Sequence, residues 1–157
     1  MVELLEVETD KAYQIATSVF KEYAAQIGVE LSFQNFNQEL VDLKSQYARP
    51  LGVLYIAYDQ EQKPIGCFGI RPFEDSICEL KRMYLKSTHR GLGIGKKLLL
   101  QSIKTGKELG YTKMRLDTLP TMQSAIRLYT SIGFYEIPPY RFNPIEGTKY
   151  FEITLAA

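Results

Sequence analysis

Residues 79–99, ELKRMYLKSTHRGLGIGKKLL, decide how the chain is read. They begin inside ICELKRMYL (77–85), whose apolar residues predict a strand. The polar stretch KSTHR and the run RGLGIG follow. Leu98, Leu99, Ser102, Ile103, Gly106 and Leu109 then fall on one face of a helix, with Gly110 as its stop. Glycines at a helix entrance let backbone N–H groups approach an anion without a Cβ in the way, and the positive end of the helix dipole adds to the attraction. Arg90, Lys96 and Lys97 supply further positive charge. The stretch reads as a phosphate or pyrophosphate cradle; the alternative is a tight strand-to-helix turn that merely needs glycine. It satisfies neither G-x-G-x-x-G, because Lys96 takes the last position, nor the P-loop, because Lys97 stands where Ser or Thr is required.

Upstream, Val2–Val7 reads as a strand. Asp10 opens a helix whose apolar face is Ile15, Val19, Tyr23 and Ile27, ending near Gly28. Phe36, Leu40, Leu43 and Tyr47 mark a shorter helix closed before Pro50. LGVLYIAY and PIGCFGIRPF, joined by the polar turn DQEQK, predict an antiparallel hairpin. Downstream, KMRLDTL is a strand. Pro120 sits near the first turn of a helix with Met122, Ala125, Ile126, Tyr129 and Ile132 on one face and Gly133 at its end. FYEI and TKYFEITL are the last strands. The expected fold is α/β (α+β): a mixed, mostly antiparallel sheet of about seven strands flanked by four helices, in the order β-α-α-β-β-β-α-β-α-β-β.

The chain has 157 residues, enough for one domain, residues 1–157, that buries roughly two-thirds of its unfolded surface. Nineteen basic residues against eighteen acidic ones leave a net charge of +1, which gives no footing for general nucleic-acid or membrane binding. Cys67 and Cys78 sit among apolar strand residues and read as reduced thiols, so a cytoplasmic location is expected. A single histidine, His89, and no Cys/His cluster argue against a zinc site, so no metal is expected. The acidic start MVELLEVETD does not read as a secretory signal.

ELKRMYLKSTHRGLGIGKKLL resembles motif A of the GNAT superfamily of acyl-CoA-dependent N-acyltransferases, with Leu85, Arg90, Gly91, Gly93, Ile94 and Gly95 matching. Ser87 replaces the usual proline, and Thr88 stands where glutamine or arginine is common. AIRLYTSIGF (125–134) is similar to a second segment of that family, with Met122 in place of a frequent asparagine. LSFQNFNQEL, RLDTLPTM and IPPYRFNP resemble a bacterial branch of it. The resemblance implies a GNAT fold and acetyl-CoA as co-substrate. Its pyrophosphate would lie on Arg90, Gly91, Leu92, Gly93, Ile94, Gly95 and Lys96, and its thioester and pantetheine on backbone N–H groups near Met83, Tyr84 and Leu85.

The resemblance also implies catalytic roles. Glu79 has the spacing of a general base in some family members, if burial raises its pKa; the alternative is a strand glutamate paired with a cation such as Lys81. Tyr129 matches the general acid that protonates the leaving thiolate; otherwise it is a packed aromatic. Phe33, Tyr140 and Asn143 are expected on the acceptor side, with Arg141 able to meet an acceptor carboxylate and Phe36 more at home in the core. Asp117 either attracts an amine or caps the turn before Pro120, and His89 reads as a solvated loop residue. The implied activity is acetyl transfer to a small-molecule primary amine in a ternary complex, with a homodimer possible. A protein lysine or N-terminus as acceptor, or a non-catalytic acyl-CoA-binding module, stays open.

Overall fold

The computed structural model describes residues 2–27 and 36–155. Among these residues seven strands form one sheet in the order β1-β2-β3-β4-β5-β7-β6. They are β1 (Glu3–Glu6), β2 (Val53–Tyr58), β3 (Pro64–Glu74), β4 (Ile77–Leu85), β5 (Lys113–Thr118), β6 (Tyr135–Ile137) and β7 (Lys149–Thr154). All neighbours are antiparallel except β4 and β5. This is the mixed, mostly antiparallel sheet expected from the sequence.

Among the described residues five helices flank the sheet: α1 (Asp10–Ile27), α2 (Phe36–Val41), α3 (Leu43–Tyr47), α4 (Ile94–Glu108) and α5 (Gln123–Ile132). The single helix expected over Phe36–Tyr47 is therefore two. Its periodicity runs through unbroken, but the Asp42 carboxylate accepts a hydrogen bond from the Ser45 N–H and caps a fresh start at Leu43. Pro120 lies outside α5, which starts at Gln123 after Met122.

The sheet carries a core on each face. One is formed by Phe68, Ile70, Cys78, Leu80, Leu98, Leu99, Met114 and Leu116 with their neighbours, under α4. The other joins Phe20 and Val19 of α1 with Phe36, Leu43 and Tyr47 against Leu54, Ile56 and Cys67. Both cysteines are buried free thiols, and burial pushes Cys67 and Cys78 up from the usual range, Cys78 to about 12. Among the described residues no helix is long and apolar enough to cross a membrane.

One irregularity positions the site. Gly69 pairs with Lys81 and Cys67 with Tyr84, so two steps on β3 match three on β4. The extra residue is a bulge at Arg82, whose φ of 56° is positive. A bulge bends its strand. Here β4 pairs with β5 only from Ile77 to Glu79, and beyond that the two strands diverge without a shared ladder.

Candidate active site

The divergence of β4 and β5 opens a cleft. Leu80, Lys81, Arg82 and Met83 of β4 face Leu116, Asp117 and Thr118 of β5 across it. Tyr23 and Ile27 of α1, Met122 and Tyr129 at α5, and Asn143 and Thr148 between β6 and β7 close its sides. The edge of β4 beyond Glu79 has no strand partner on the β5 side, so its backbone groups are available to a ligand in the cleft.

The glycine run lies at the end of the same strand. After β4 the chain makes a 3-10 turn over Ser87–His89 and enters α4 at Ile94. Gly91 and Gly93 have φ of 82° and 81°, and a Cβ on either would meet no atom within 4 Å. Packing therefore does not require glycine there, whereas the left-handed backbone does. Gly93 is the N-cap of α4 and no side chain caps it, which leaves first-turn N–H groups directed out of the helix. The cradle fits an anionic phosphate group.

The side chains expected there are placed as follows. Leu92 is 71% exposed, Lys96 is exposed, and Gly95 packs near Leu128. Arg90 turns back to donate from Nε to the Leu85 carbonyl at 3.1 Å, and Lys97 donates to the Val2 carbonyl at 2.7 Å. Met83 lines the cleft, while Tyr84 points to α1 and donates to Glu22 at 2.6 Å. His89 meets Thr88 Oγ1 at 3.0 Å and does not line the cleft.

Tyr129 is buried, packs against Phe134 and Phe151, and also lines the cleft, so it is at once core and wall. Burial, with smaller contributions from Tyr23 and Asp117, pushes its phenol well above the ordinary value, and it carries its proton at neutral pH.

Glu79 is 1% exposed but does not line the cleft. Its oxygens accept from Tyr140 Oη at 2.9 Å, from Arg141 Nη2 at 2.8 Å and from Arg71 Nε at 3.4 Å. Burial pushes its carboxyl up, but the charges of Lys81, Arg141 and Arg71 and the Tyr140 hydrogen bond outweigh burial and hold it below the ordinary value. The condition set for a general-base role, a carboxyl raised by burial, is therefore not met at Glu79, whose surroundings are those of the ion-paired alternative. Tyr140 and Arg141 belong to this buried cluster: Tyr140 packs against Phe73 and Tyr150, and the Arg141 guanidinium lies over Phe73 and Tyr140. Asn143 reaches the cleft. Phe36 is a core residue, and Phe33 lies outside the described residues.

Glu39, Arg71 and Arg82 escape the sequence reading, and Lys81 enters it only as a cation beside Glu79. Glu39 accepts two hydrogen bonds from Arg82, at 3.0 and 2.8 Å, and one from Tyr47 at 2.9 Å, all of them buried. Arg71 lies 3.6 Å from the same carboxylate. Lys81 is 3% exposed on the cleft wall, and burial pushes its amine down to about 8 against the opposing pull of Glu79. The signals were present. Glu39 falls on the same helical face as Phe36 and Leu43, and ICELKRMYL puts three charges into a strand flanked by apolar residues. Asp117 also reaches the wall, and its Oδ2 is buried without a hydrogen-bond partner.

Residues 11–134 match the model of the acetyltransferase (GNAT) family. The chain is 37% identical to an uncharacterised N-acetyltransferase of Schizosaccharomyces pombe, over 87% of this chain and 84% of that one. It is 32% identical to an uncharacterised N-acetyltransferase of Escherichia coli, over 76% and 74%. A GNAT-family acetyltransferase from Staphylococcus aureus superposes with a TM-score of 0.81 at 22% identity, over 99% of this chain and 100% of that one. The PaiA N-acetyltransferase of Thermoplasma acidophilum, solved in complex with coenzyme A, does so with a TM-score of 0.70 at 20% identity, over 98% and 99%. With its fold, its family match and its relatives in agreement, the chain belongs to the GNAT family of acetyltransferases.

Proposed function

We propose that the protein transfers an acetyl group from acetyl-CoA to a primary amine of a small molecule, by direct attack in a ternary complex. The observation that carries this reading is a convergence. The unpaired edge of β4, the uncapped start of α4, the Tyr129 phenol and the orphaned Asp117 oxygen all belong to one strand-loop-helix crossover and the cleft beside it. The coenzyme A complex of the Thermoplasma neighbour supports the choice of acyl carrier.

Bound acetyl-CoA supplies an activated acyl carbonyl and a thiolate leaving group. Backbone N–H groups at Gly91–Gly95 hold its phosphates, helped by the dipole of α4. The β4 edge near Met83, Tyr84 and Leu85 offers N–H donors to the thioester carbonyl, a contribution of roughly 3–4 kcal/mol in enzymes of comparable design. Holding acceptor and acyl group side by side can supply roughly 7–11 kcal/mol of the barrier reduction.

Asp117 Oδ2 takes the proton that the acceptor ammonium must lose. It is the carboxylate oxygen on the wall with no prior commitment, whereas Glu79 is engaged by three donors away from the wall. Tyr129 gives its phenolic proton to the departing sulfur. Glu79 contributes indirectly, through the charge that it sets beside Lys81.

Release of free thiol from acetyl-CoA, measured across a panel of amines, tests the reading. Amine-dependent release with an acetylated product is expected. Thermal stabilisation by acetyl-CoA without thiol release for any amine would point instead to a binding module.

A further inference from the structure

The segment between β6 and β7, residues 138–148, belongs to no helix or strand. Pro138, Pro139 and Pro144 restrict its backbone and lack N–H donors, so a strand ladder does not hold it and side chains must. Those side chains converge on one carboxylate. Tyr140 Oη and Arg141 Nη2 donate to Glu79 at 2.9 and 2.8 Å. The Tyr140 ring packs edge-on against Phe73 and Tyr150, and the Tyr150 hydroxyl donates to the Arg141 carbonyl at 3.0 Å.

Glu79 stands at the fork of the sheet. It is the last β4 residue paired with β5, opposite Arg115, and on its other side it pairs with Arg71 of β3. Arg71 donates to it at 3.4 Å and to Gln46 Oε1 of α3 at 2.9 Å, so the carboxylate is itself braced from the helical layer. From this anchor the segment runs to the cleft, which Asn143 and Thr148 line and Glu79 does not. Asn143 follows Arg141 by two residues, a reach of about 7 Å at most, so a fixed Arg141 confines it. The Asn143 Oδ1 accepts the Ile145 N–H at 2.8 Å, which leaves the amide NH2 as the donor end.

We propose that Glu79 is a positioning residue for the acceptor: by clasping Tyr140 and Arg141 it locks residues 138–148 against β4 and so sets where Asn143 meets the incoming amine. The inference rests on the acetyl-transfer reading above and deepens it, giving Glu79 a task other than proton transfer. An ion pair that served stability alone would leave the affinity for the acceptor untouched. A base would act on kcat and would have to shed its donors first. A clasp acts on the acceptor side of the cleft and leaves the acetyl-CoA side as it is.

Tyr140→Phe removes one donor from Glu79 and keeps the ring against Phe73 and Tyr150. With an amine that the unaltered protein acetylates, KM for the amine should rise about fivefold or more, kcat should change less than about twofold, and the Kd for acetyl-CoA should hold. Glu79→Gln should show the same split, and Tyr140→Phe added to it should have little further effect. Glu146→Gln, an exposed charge of the same segment, is the control and should leave KM as it was. An unchanged amine KM in folded Tyr140→Phe overturns the proposal, as does a loss in Glu79→Gln that falls wholly on kcat. Should Glu79→Gln fail to fold, Tyr140→Phe decides alone. Hydrogen exchange separates the clasp from the transfer reading. In Tyr140→Phe the amides of residues 140–148 should exchange faster while those of α4 keep their protection. Thiol release with no amine at all removes the transfer reading; faster exchange confined to that segment then keeps the clasp, and unchanged exchange overturns it in either case.

Discussion

The Arg82 guanidinium grips both oxygens of Glu39, at 3.0 and 2.8 Å, and this pair ties α2 to the bulge that parts β4 from β5. Arg82 holds a left-handed φ that residues with a side chain rarely adopt, and a buried two-point ion pair is the restraint that keeps it there. The cleft therefore depends on a contact made from α2, the helix next to it in sequence being α3 rather than any part of motif A.

Removing one partner of such a pair leaves a buried charge uncompensated. Glu39→Ala is expected to cost about 3–5 kcal/mol in chemical denaturation. Glu39→Gln, which keeps hydrogen-bonding capacity toward Tyr47 and Arg82, should cost less. In both variants the affinity for acetyl-CoA should drop, because the bulge is less firmly held. A stability change below 1 kcal/mol in Glu39→Ala would show that the bulge holds itself.

Acid should expose the same network. The carboxyls of Glu39 and Glu79 are held below their ordinary value of 4.5, because cations and hydrogen bonds outweigh burial. A depressed folded value means that the stabilisation is complete above 4.5 and is lost as the pH falls through the folded values. The Tm should hold nearly level down to that point and then fall. Glu79→Gln should flatten the fall, and an equally steep fall in the variant would assign the acid sensitivity to other groups.

The glycine cradle makes a prediction with an internal control. Gly93 and Gly110 both have positive φ, and a Cβ at either meets no atom within 4 Å. Alanine at each should therefore carry a similar backbone strain of about 1–2 kcal/mol. Only Gly93 lies at the phosphate end of α4; Gly110 follows its other end. Calorimetry should show Gly93→Ala weakening acetyl-CoA binding while Gly110→Ala leaves it unchanged. Equal affinities would remove Gly93 from the cradle.

Tyr129 separates chemistry from packing. Tyr129→Phe keeps the ring contacts with Phe134 and Phe151 and removes only the hydroxyl. A drop in kcat of about 10²-fold with an unchanged Kd for acetyl-CoA is expected of a proton donor. An unchanged kcat would leave Tyr129 as a wall residue.

Much of this was legible in the chain. ICELKRMYL spans the observed β4 residue for residue, and Asp10 opens the observed α1, because apolar periodicity and capping residues act locally. The split at Asp42 was hidden because a local cap competed with a periodicity that continued through it. The bulge at Arg82 was hidden for a different reason. Its partner Glu39 lies 43 residues earlier, and no local pattern records which of three charges in one strand turns toward a distant helix. The surroundings of Glu79 and Asp117 were hidden on the same ground. Spacing picks out a carboxylate on the right strand, but its proton affinity depends on Arg71, Tyr140 and Arg141, which only folding brings together.

The two carboxylates give the last and most discriminating prediction. Asp117 Oδ2 is buried at the cleft wall without a donor, whereas Glu79 is engaged by Tyr140, Arg141 and Arg71 and sits behind that wall. A carboxylate that takes a proton during turnover must reach the acceptor nitrogen, so Asp117→Asn should lower kcat by about 10²-fold or more with acetyl-CoA affinity retained. Glu79→Gln removes a charge that three cations share and should act first on stability, with turnover per folded molecule reduced less than in Asp117→Asn. Thiol release measured over a pH series, normalised to the folded fraction, distinguishes the two. If Glu79→Gln abolishes turnover in a folded protein while Asp117→Asn keeps it, the proton leaves by way of Glu79, and the ion pairs around that residue would have to open during catalysis.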